Sequence, residues 1–445
     1  MHNASSVPVS SPVTPSFDEL VRVSLRIGCL SFGGPAGQIA LMHREIVEER
    51  GWISEEQFLQ ALNFCHFLPG PEAQQLATWI GWKLHGMRGG FAMGLLFVIP
   101  GALVILALSM LYALAADLHW FAALFTGIKA AVLAIVVQAL IRIAGRALKT
   151  PLQKALAVGA FIALAVFSLP FPLVVLGAGV IGFATAAARP ELLGLSNADG
   201  PAPASKRPWA MTIRTIATGA VLWAAPMIAV LALLGSDHVL WKVGLFFSKL
   251  AVVTFGGAYA VLSYMAQQAV DTYGWLRAGE MADGLGLAET TPGPLIMVTQ
   301  FVGYLAGFRA PEPFSPMVGG LLAAALTTWV TFVPCFIWIF AFAPWIERLG
   351  NARKLKGGLA AITAAVVGVI ANLTLWFAIH VLFRETRDVA FGPASLSLPV
   401  LQSFDWRLAA IAALAAFLIF RMRKGILTVL AICAAAGLAA ALVWS

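Results

Sequence analysis

The sequence has few charged residues and no recognisable pattern of cysteines. Only 11% of its 445 residues are Asp, Glu, Lys or Arg, whereas a soluble domain carries about 25%. So few charges cannot cover a water-facing surface of normal size, which excludes an ordinary soluble enzyme. The four cysteines lie far apart inside apolar segments and form no CxxC or Cys/His cluster, so we expect neither a disulfide framework nor a zinc site.

The sequence also lacks the motifs of ATP-driven pumps and redox enzymes. It contains no Walker A sequence, no aspartyl-phosphate motif and no ligand set for haem, flavin or an iron–sulfur cluster, so we expect no cofactor. The GxGxxG match at 177–182 lies inside an apolar run with no preceding strand, which is typical of helix packing. Residues 1–16 have neither a cationic start nor an apolar run, and they predict a mobile tail rather than a signal peptide.

What the sequence does contain is apolar. Hydrophobic residues make up 60% of the chain and the mean hydropathy is +0.86. This composition predicts an all-α polytopic protein in a lipid bilayer. The net charge of +8 comes from Lys and Arg spread over many short loops, so we expect no nucleic-acid partner. About thirteen apolar segments are expected, near 20–42, 57–83, 90–115, 121–143, 154–168, 170–188, 216–235, 239–266, 280–308, 317–344, 357–383, 405–420 and 425–443.

The chain repeats itself after 223 residues. This shift aligns the Phe-Gly-Gly at 32–34 with that at 255–257, Gly51-Trp52 with Gly274-Trp275, and the Pro-Gly-Pro at 69–71 with that at 292–294. We therefore expect a duplicated membrane protein. Its predicted parts are the tail 1–16, a first half 17–188, a cytoplasmic linker 189–215, an extra helix 216–235 and a second half 236–445.

The loop charges predict how the halves are oriented. Lys and Arg concentrate at 142–154, 189–215, 348–356 and 421–424, whereas 116–120, 168–172 and 235–238 contain none. By the positive-inside rule, the N-terminus is cytoplasmic and the C-terminus periplasmic. Six segments, one extra segment and six more then place the second half upside down relative to the first. An inverted-topology repeat is the architecture associated with alternating access.

The two Pro-Gly-Pro motifs are the strongest candidates for a site. Proline lacks an N–H and disfavours helical geometry in the residue before it, so helices must break here. Pro71 and Pro294 suit the first position of a new helix, whose leading amides form the positive end of a helix dipole. Two such ends inside the membrane would bind an anion. The alternative interpretation is a kink that serves only packing.

Arg26 and Lys249 occupy aligned positions six residues before each Phe-Gly-Gly. A cation in a transmembrane segment is costly and indicates function, unless its side chain extends to the membrane surface as an anchor. Glu72, which follows the first Pro-Gly-Pro, is a candidate for proton coupling because it would compete with an anion for the same helix end. The predicted substrate-binding residues are Arg26, Ser31, Gly33, Gly34, Asn63, Gly70, Pro71, Glu72, Ala73, Gln74, Lys249, Thr254, Gly256, Gly257, Thr291, Gly293, Pro294 and Leu295, with Pro69 and Pro292 as structural breaks.

These motifs resemble a known family. SFGGPAGQIALMH (31–43), GWIS (51–54) and LPGPEAQQLATWIGW (68–82) are similar to the first half-repeat of the chromate ion transporter family. TFGGAYAVLSYM (254–265) and ETTPGPLIMVTQFVGY (289–304) are similar to its second half-repeat, so the resemblance covers almost the whole chain. It implies efflux of chromate across the bacterial inner membrane and resistance to chromate, with sulfate as an isosteric competitor.

Three alternatives remain open from the sequence. The cargo could be sulfate or another oxyanion, taken up with protons; the protein could be a membrane enzyme such as a chromate reductase; or it could be a passive channel. Energetics permit export, because moving a dianion out of a negative interior releases about 4.6 kcal/mol per 100 mV. A homodimer is also left open.

Overall fold

The fold is almost entirely helical. The computed structural model describes residues 14–32, 34–115, 118–195, 209–254, 258–346, 353–391 and 394–443. Within these residues there are sixteen α-helices and one β-hairpin. The helices are α1 Phe17–Leu30, α2 Gly34–His43, α3 Glu55–Cys65, α4 Glu72–Ala115, α5 His119–Ala147, α6 Pro151–Ala165, α7 Phe171–Ala188, α8 Trp209–Leu234, α9 Val239–Val253, α10 Ala258–Gln267, α11 Ala278–Thr290, α12 Val298–Arg309, α13 Pro316–Phe342, α14 Arg353–Leu382, α15 Trp406–Ala416 and α16 Ile426–Val443.

The predicted helical membrane fold is confirmed. Six helices are long and apolar enough to cross a membrane, and three shorter apolar helices accompany them in the described part of the chain. Four of the predicted apolar segments are each split into two helices, namely 20–42, 57–83, 239–266 and 280–308. The segment after α14 contains an antiparallel hairpin, β1 Thr386–Phe391 and β2 Ala394–Pro399, which the hydropathy pattern does not indicate.

Helix α4 is two helical sections joined by a turn. His85 (φ −135°) and Gly86 (φ 59°) leave helical geometry, so the section 72–84 is followed by a second section, 87–115. A Cβ on Gly81 would lie 2.1 Å from the Gly89 carbonyl oxygen, so the two sections pack backbone to backbone. The chain therefore reverses direction at His85, and only the second section, about 43 Å long at 1.5 Å per residue, is long enough to cross a membrane.

Helix α1 runs parallel to this second section. Phe17 packs against His85 at the start of the section, and Gly28 lies against the Leu96 carbonyl further along it. We call the end of the molecule that contains residues 15–17 and the turn at His85 the first face, and the end that contains Ala115 and His119 the second face. The end of α1 thus lies near mid-height.

Helix α13 runs antiparallel to the second section of α4. Gly90 lies against Phe340 and Gly94 against Phe336, so α13 ends near the first face and begins near the second. The loop before α13 also holds the start of α9, because His238 Nε2 is 2.6 Å from the Glu312 carbonyl oxygen. Helix α12 returns to this same loop, where Gly307 and Gly319 pack backbone to backbone.

The two halves share their local geometry at the 223-residue spacing. Helices α3 and α11 begin at residues 55 and 278, and the glycines that precede them, Gly51 and Gly274, have φ angles of 60° and 62°. The glycines of the two Pro-Gly-Pro motifs, Gly70 and Gly293, also have positive φ, 121° and 88°. Only glycine adopts these angles without strain.

Most of the buried apolar side chains form one core among α4, α5, α9, α11, α12 and α13. Its largest members include Tyr112, Phe247, Phe301 and Tyr304. A second cluster joins α1 to α4 and the end of α13. Helix α8 lies outside both clusters except for a few residues, and its apolar side chains are mostly exposed, as expected of a helix that faces lipid.

Candidate functional site in the membrane

The first Pro-Gly-Pro joins α3 to α4 deep inside the molecule. Because neither proline has an N–H, Gly70 carries the only backbone donor of the motif. That N–H donates to the Thr254 carbonyl oxygen at 2.8 Å. The side-chain amide of Gln75 donates to the Pro69 carbonyl at 2.7 Å. The break is therefore a defined, hydrogen-bonded structure.

The second Pro-Gly-Pro joins α11 to a short 3₁₀ segment, Leu295–Met297, that leads into α12. The Gly293 N–H donates to the Ser31 carbonyl oxygen at 3.0 Å, and the Gly293 carbonyl accepts from Gln38 Nε2 at 2.6 Å. Both breaks thus use the N–H of their glycine and the carbonyl of a residue that ends a helix in the other half.

These hydrogen bonds are reciprocal. Ser31 and Thr254 are 223 residues apart, and so are Gly70 and Gly293, so each half supplies the acceptor for the other half's break. Both hydroxyls donate to the carbonyl four residues earlier, each at 2.6 Å. The two breaks are consequently held against each other at the centre of the molecule.

The amides after Pro71 form a buried helix N-terminus. The first helical hydrogen bond runs from the Gln75 N–H to the Pro71 carbonyl, which leaves the amides of residues 72–74 outside the helix ladder. Glu72, Ala73 and Gln74 are all buried. The Glu72 carboxylate lies 3.6 Å from His66 Nδ1, so a titratable pair stands beside this helix end.

A cavity of about 850 Å³ leads to this helix end. Glu72, His66 and Gly34 line it where it approaches the break. Arg142 and Arg146, near the end of α5 that lies on the first face, line it elsewhere, together with Arg44. Three arginines and two carboxylates, Glu48 and Glu72, face the cavity, so its charge favours an anion. We call this space the basic cavity.

The two half-helices meet at a much smaller space. Pro71 from the first and Ile296 and Thr299 from the second line a void of about 10 Å³, together with Thr254 and Thr331. Such a void holds at most one water molecule. A tetrahedral oxyanion therefore cannot pass between the breaks without a change of conformation.

The predicted site residues fall into three groups. Those of the breaks and their hydrogen-bond partners come together as described: Ser31, Pro69, Gly70, Pro71, Glu72, Ala73, Gln74, Thr254, Thr291, Pro292, Gly293, Pro294 and Leu295, with Gly34 in the basic cavity. Asn63 is exposed on α3. Gly33, Gly256 and Gly257 lie outside the described residues.

Arg26 and Lys249 do not face the breaks. Both are exposed, and neither is among the described residues that line the basic cavity. Arg26 Nε lies 3.4 Å from the buried carboxylate of Glu45, which Arg50 also contacts at 2.7 Å. A role for Arg26 and Lys249 in binding stays a prediction, and this geometry favours the anchoring alternative.

Sequence reasoning missed His66 and treated Arg142 and Arg146 only as loop charges. The spacing of the two arginines, four residues apart on a predicted helix, was the available signal, since such residues share one helical face. His66 comes three residues before Pro69, where α3 has already ended. Only the packing of α5 against the first half shows that these groups share a cavity.

A helical fold with broken helices at its centre, and a basic cavity that reaches one break, defines a polytopic membrane transport protein rather than an enzyme. Comparison with known sequences gives the family. The model of the family described as "Chromate transporter" matches residues 19–183 and 241–438. The chain belongs to the chromate transporter family.

Relatives match over most of their length. The chromate transport protein of Pseudomonas aeruginosa is 34% identical over 370 residues, which is 82% of each chain. The probable chromate transport protein of Synechococcus elongatus is 27% identical over 361 residues, 80% of this chain and 83% of the relative. The chromate transport protein of Cupriavidus metallidurans is 27% identical over 369 residues, 82% of this chain and 84% of the relative. No solved structure matches significantly.

Proposed function

We propose that the protein exports chromate from the cytoplasm across the bacterial inner membrane and thereby confers resistance to chromate. Chromate is a tetrahedral dianion that offers only hydrogen-bond acceptors, so its site needs amide donors and cations. The observation that carries the proposal is the basic cavity, which runs from Arg142 and Arg146 to the free amides after Pro71. The names of the relatives favour chromate over sulfate, which we expect to act as a competitor of the same shape.

We further propose that the two halves are inverted relative to each other and work by alternating access. The antiparallel contacts of α4 and α13 support this, because each of these helices follows the broken region of its own half. The return of α12 to the loop at the start of α9 supports it as well, since α4 makes the matching return to the start of α1. In this scheme each broken pair enters and leaves by one face and does not cross the membrane.

Loop charges give the proposed orientation. Arg142, Arg146 and Lys149 lie at the first face, and His119 at the start of α5 lies at the second. We therefore place the first face in the cytoplasm and the second in the periplasm. The basic cavity is then the cytoplasmic entrance, and the 10 Å³ void is the closed path to the periplasm. Since one chain supplies both breaks, the site requires no second copy.

The entrance is tested by removing its charge. We expect Arg142→Gln together with Arg146→Gln to weaken chromate binding by about tenfold or more, because a dianion in a medium of intermediate dielectric loses over 1 kcal/mol for each cation removed at about 10 Å. Lys149→Gln with Lys154→Gln is the matched control: it removes two exposed charges from the same face but outside the residues that line the cavity. Isothermal titration with chromate measures both. Equal losses in the two double variants would refute a specific role for the cavity.

A further inference from the structure

A second buried cluster of titratable groups lies away from the basic cavity. Asp283 on α11 is 1% exposed. Its Oδ2 accepts a hydrogen bond from the Tyr112 hydroxyl at 2.7 Å and lies 3.3 Å from Lys129 Nζ. We call Asp283, Lys129 and Tyr112 the aspartate triad. The first half has Gln60 at the position of Asp283, so the duplication does not explain it.

The carboxylate of Asp283 is unevenly satisfied. Two donors face Oδ2, while Oδ1 is buried without a hydrogen-bond partner. A buried ionised oxygen with no donor is costly, and so is the buried ammonium of Lys129 when Asp283 is neutral. Neither protonation state is fully stabilised, which is the condition under which a buried group changes state readily.

Other charged groups around Asp283 have partners of their own. Glu280, one turn earlier on α11, makes two hydrogen bonds with Arg309 of α12. On the remaining helices that pack against α11, the titratable groups of α16 and of the far end of α14 are Cys433, which is buried, and His380, whose Nδ1 lies 2.9 Å from the Trp376 carbonyl. Lys129 is therefore the cation that responds to the charge of Asp283.

The triad lies close enough to the second break to influence an anion there. Asp283 is seven residues before the end of α11, a rise of about 10 Å. At such a distance one unit charge changes the affinity for another by on the order of tenfold in a medium of intermediate dielectric. The triad is also near the second face, where Lys129 retains a partly exposed side chain.

We propose that Asp283 is the coupling proton site of the transporter, and that it binds its proton together with the anion. Protonation neutralises Asp283 and leaves the positive charge of Lys129 uncompensated, which strengthens anion binding at the breaks. Linkage requires the converse, that anion binding promotes protonation. One proton then travels with each chromate, and the net charge of minus one still leaves the cell down the membrane potential. This inference rests on the proposed function.

The sign of the linkage is measurable in the purified protein. At neutral to alkaline pH, where chromate is a dianion, titration calorimetry in buffers of different ionisation enthalpy counts the protons taken up on binding. Wild type should take up protons and bind chromate about tenfold more weakly as the pH rises. Asp283→Asn should take up none and keep a high, pH-independent affinity. Glu280→Gln, a matched carboxylate-to-amide change one turn away, should behave as wild type.

Tyr112→Phe covers the case in which Asp283→Asn does not fold. Loss of one donor to the carboxylate favours its protonated form, so the fall in affinity should move to higher pH while the highest affinity stays unchanged. A purely structural role for Tyr112 would lower affinity at every pH. The proposal is overturned if wild type takes up no proton, or if Asp283→Asn keeps the pH dependence of wild type. Failure of wild type to bind chromate at any pH would instead overturn the proposed function.

Discussion

Gly101 lies at the middle of the second section of α4, directly against the second break. A Cβ at this position would be 2.4 Å from the Pro292 carbonyl oxygen and 3.1 Å from Gly293 Cα. Gly101→Ala must therefore push the break away by about 1 Å to reach normal contact distances. The displaced atoms are backbone, so no side-chain rotation can relieve the contact.

The energetic and functional effects of Gly101→Ala should differ. Alanine favours a helix over glycine by about 1 kcal/mol, while overpacking costs about 1–3 kcal/mol, so the net loss of stability should be about 0–2 kcal/mol. Transport should suffer more, because the shift disrupts the 3.0 Å bond between the Gly293 N–H and Ser31. A misplacement of about 1 Å can cost about a hundredfold where geometry matters.

The assay is chromate uptake into everted vesicles, normalised to protein abundance, with thermal stability measured in parallel. Gly177→Ala is the matched control, since this helical glycine has no atom within 4 Å of an added Cβ. It should be neutral or slightly stabilising and transport normally. If Gly101→Ala transports chromate as wild type does at equal abundance, the packed position of the second break is irrelevant to function and the reasoning is refuted.

Two further predictions follow from topology and charge. In a Cys29→Ser background, Leu401→Cys after the β-hairpin should react with an impermeant thiol reagent from the periplasm, and Lys149→Cys only after permeabilisation; labelling of Lys149→Cys in intact cells would contradict the orientation. Arg26→Ala and Lys249→Ala should each insert and fold, because Arg50 still pairs with Glu45, yet lose chromate export. If both keep full resistance at equal abundance, these cations are membrane anchors.

The sequence predicts the helical breaks well because proline acts locally. A missing N–H and a restricted neighbour end a helix regardless of tertiary context, so Pro69 and Pro292 mark true ends of the helical regions. The spacing of 223 residues likewise carries over to helix starts and to the positive φ of Gly51 and Gly274. These features depend on residues close together in the chain.

What the sequence does not predict depends on packing between distant segments. The reversal at His85 is invisible to hydropathy, since both sections of α4 are apolar and the turn needs only one glycine with positive φ. The meeting of Lys129 with Asp283 joins residues 154 positions apart. Arg26 met a buried carboxylate, Glu45, that the sequence suggested was part of a solvated loop. In each case the partner is chosen by the tertiary fold.

The most direct test of export through the basic cavity is chromate uptake into everted inner-membrane vesicles under an imposed membrane potential. The interior of such vesicles corresponds to the periplasm. We expect saturable uptake that rises when the interior is made positive, because about 2.3 kcal/mol per 100 mV is available for each net charge moved. Uptake should fall with Arg142→Gln and Arg146→Gln together. Uptake that ignores the potential, or transport of chromate only into right-side-out vesicles, would contradict the account.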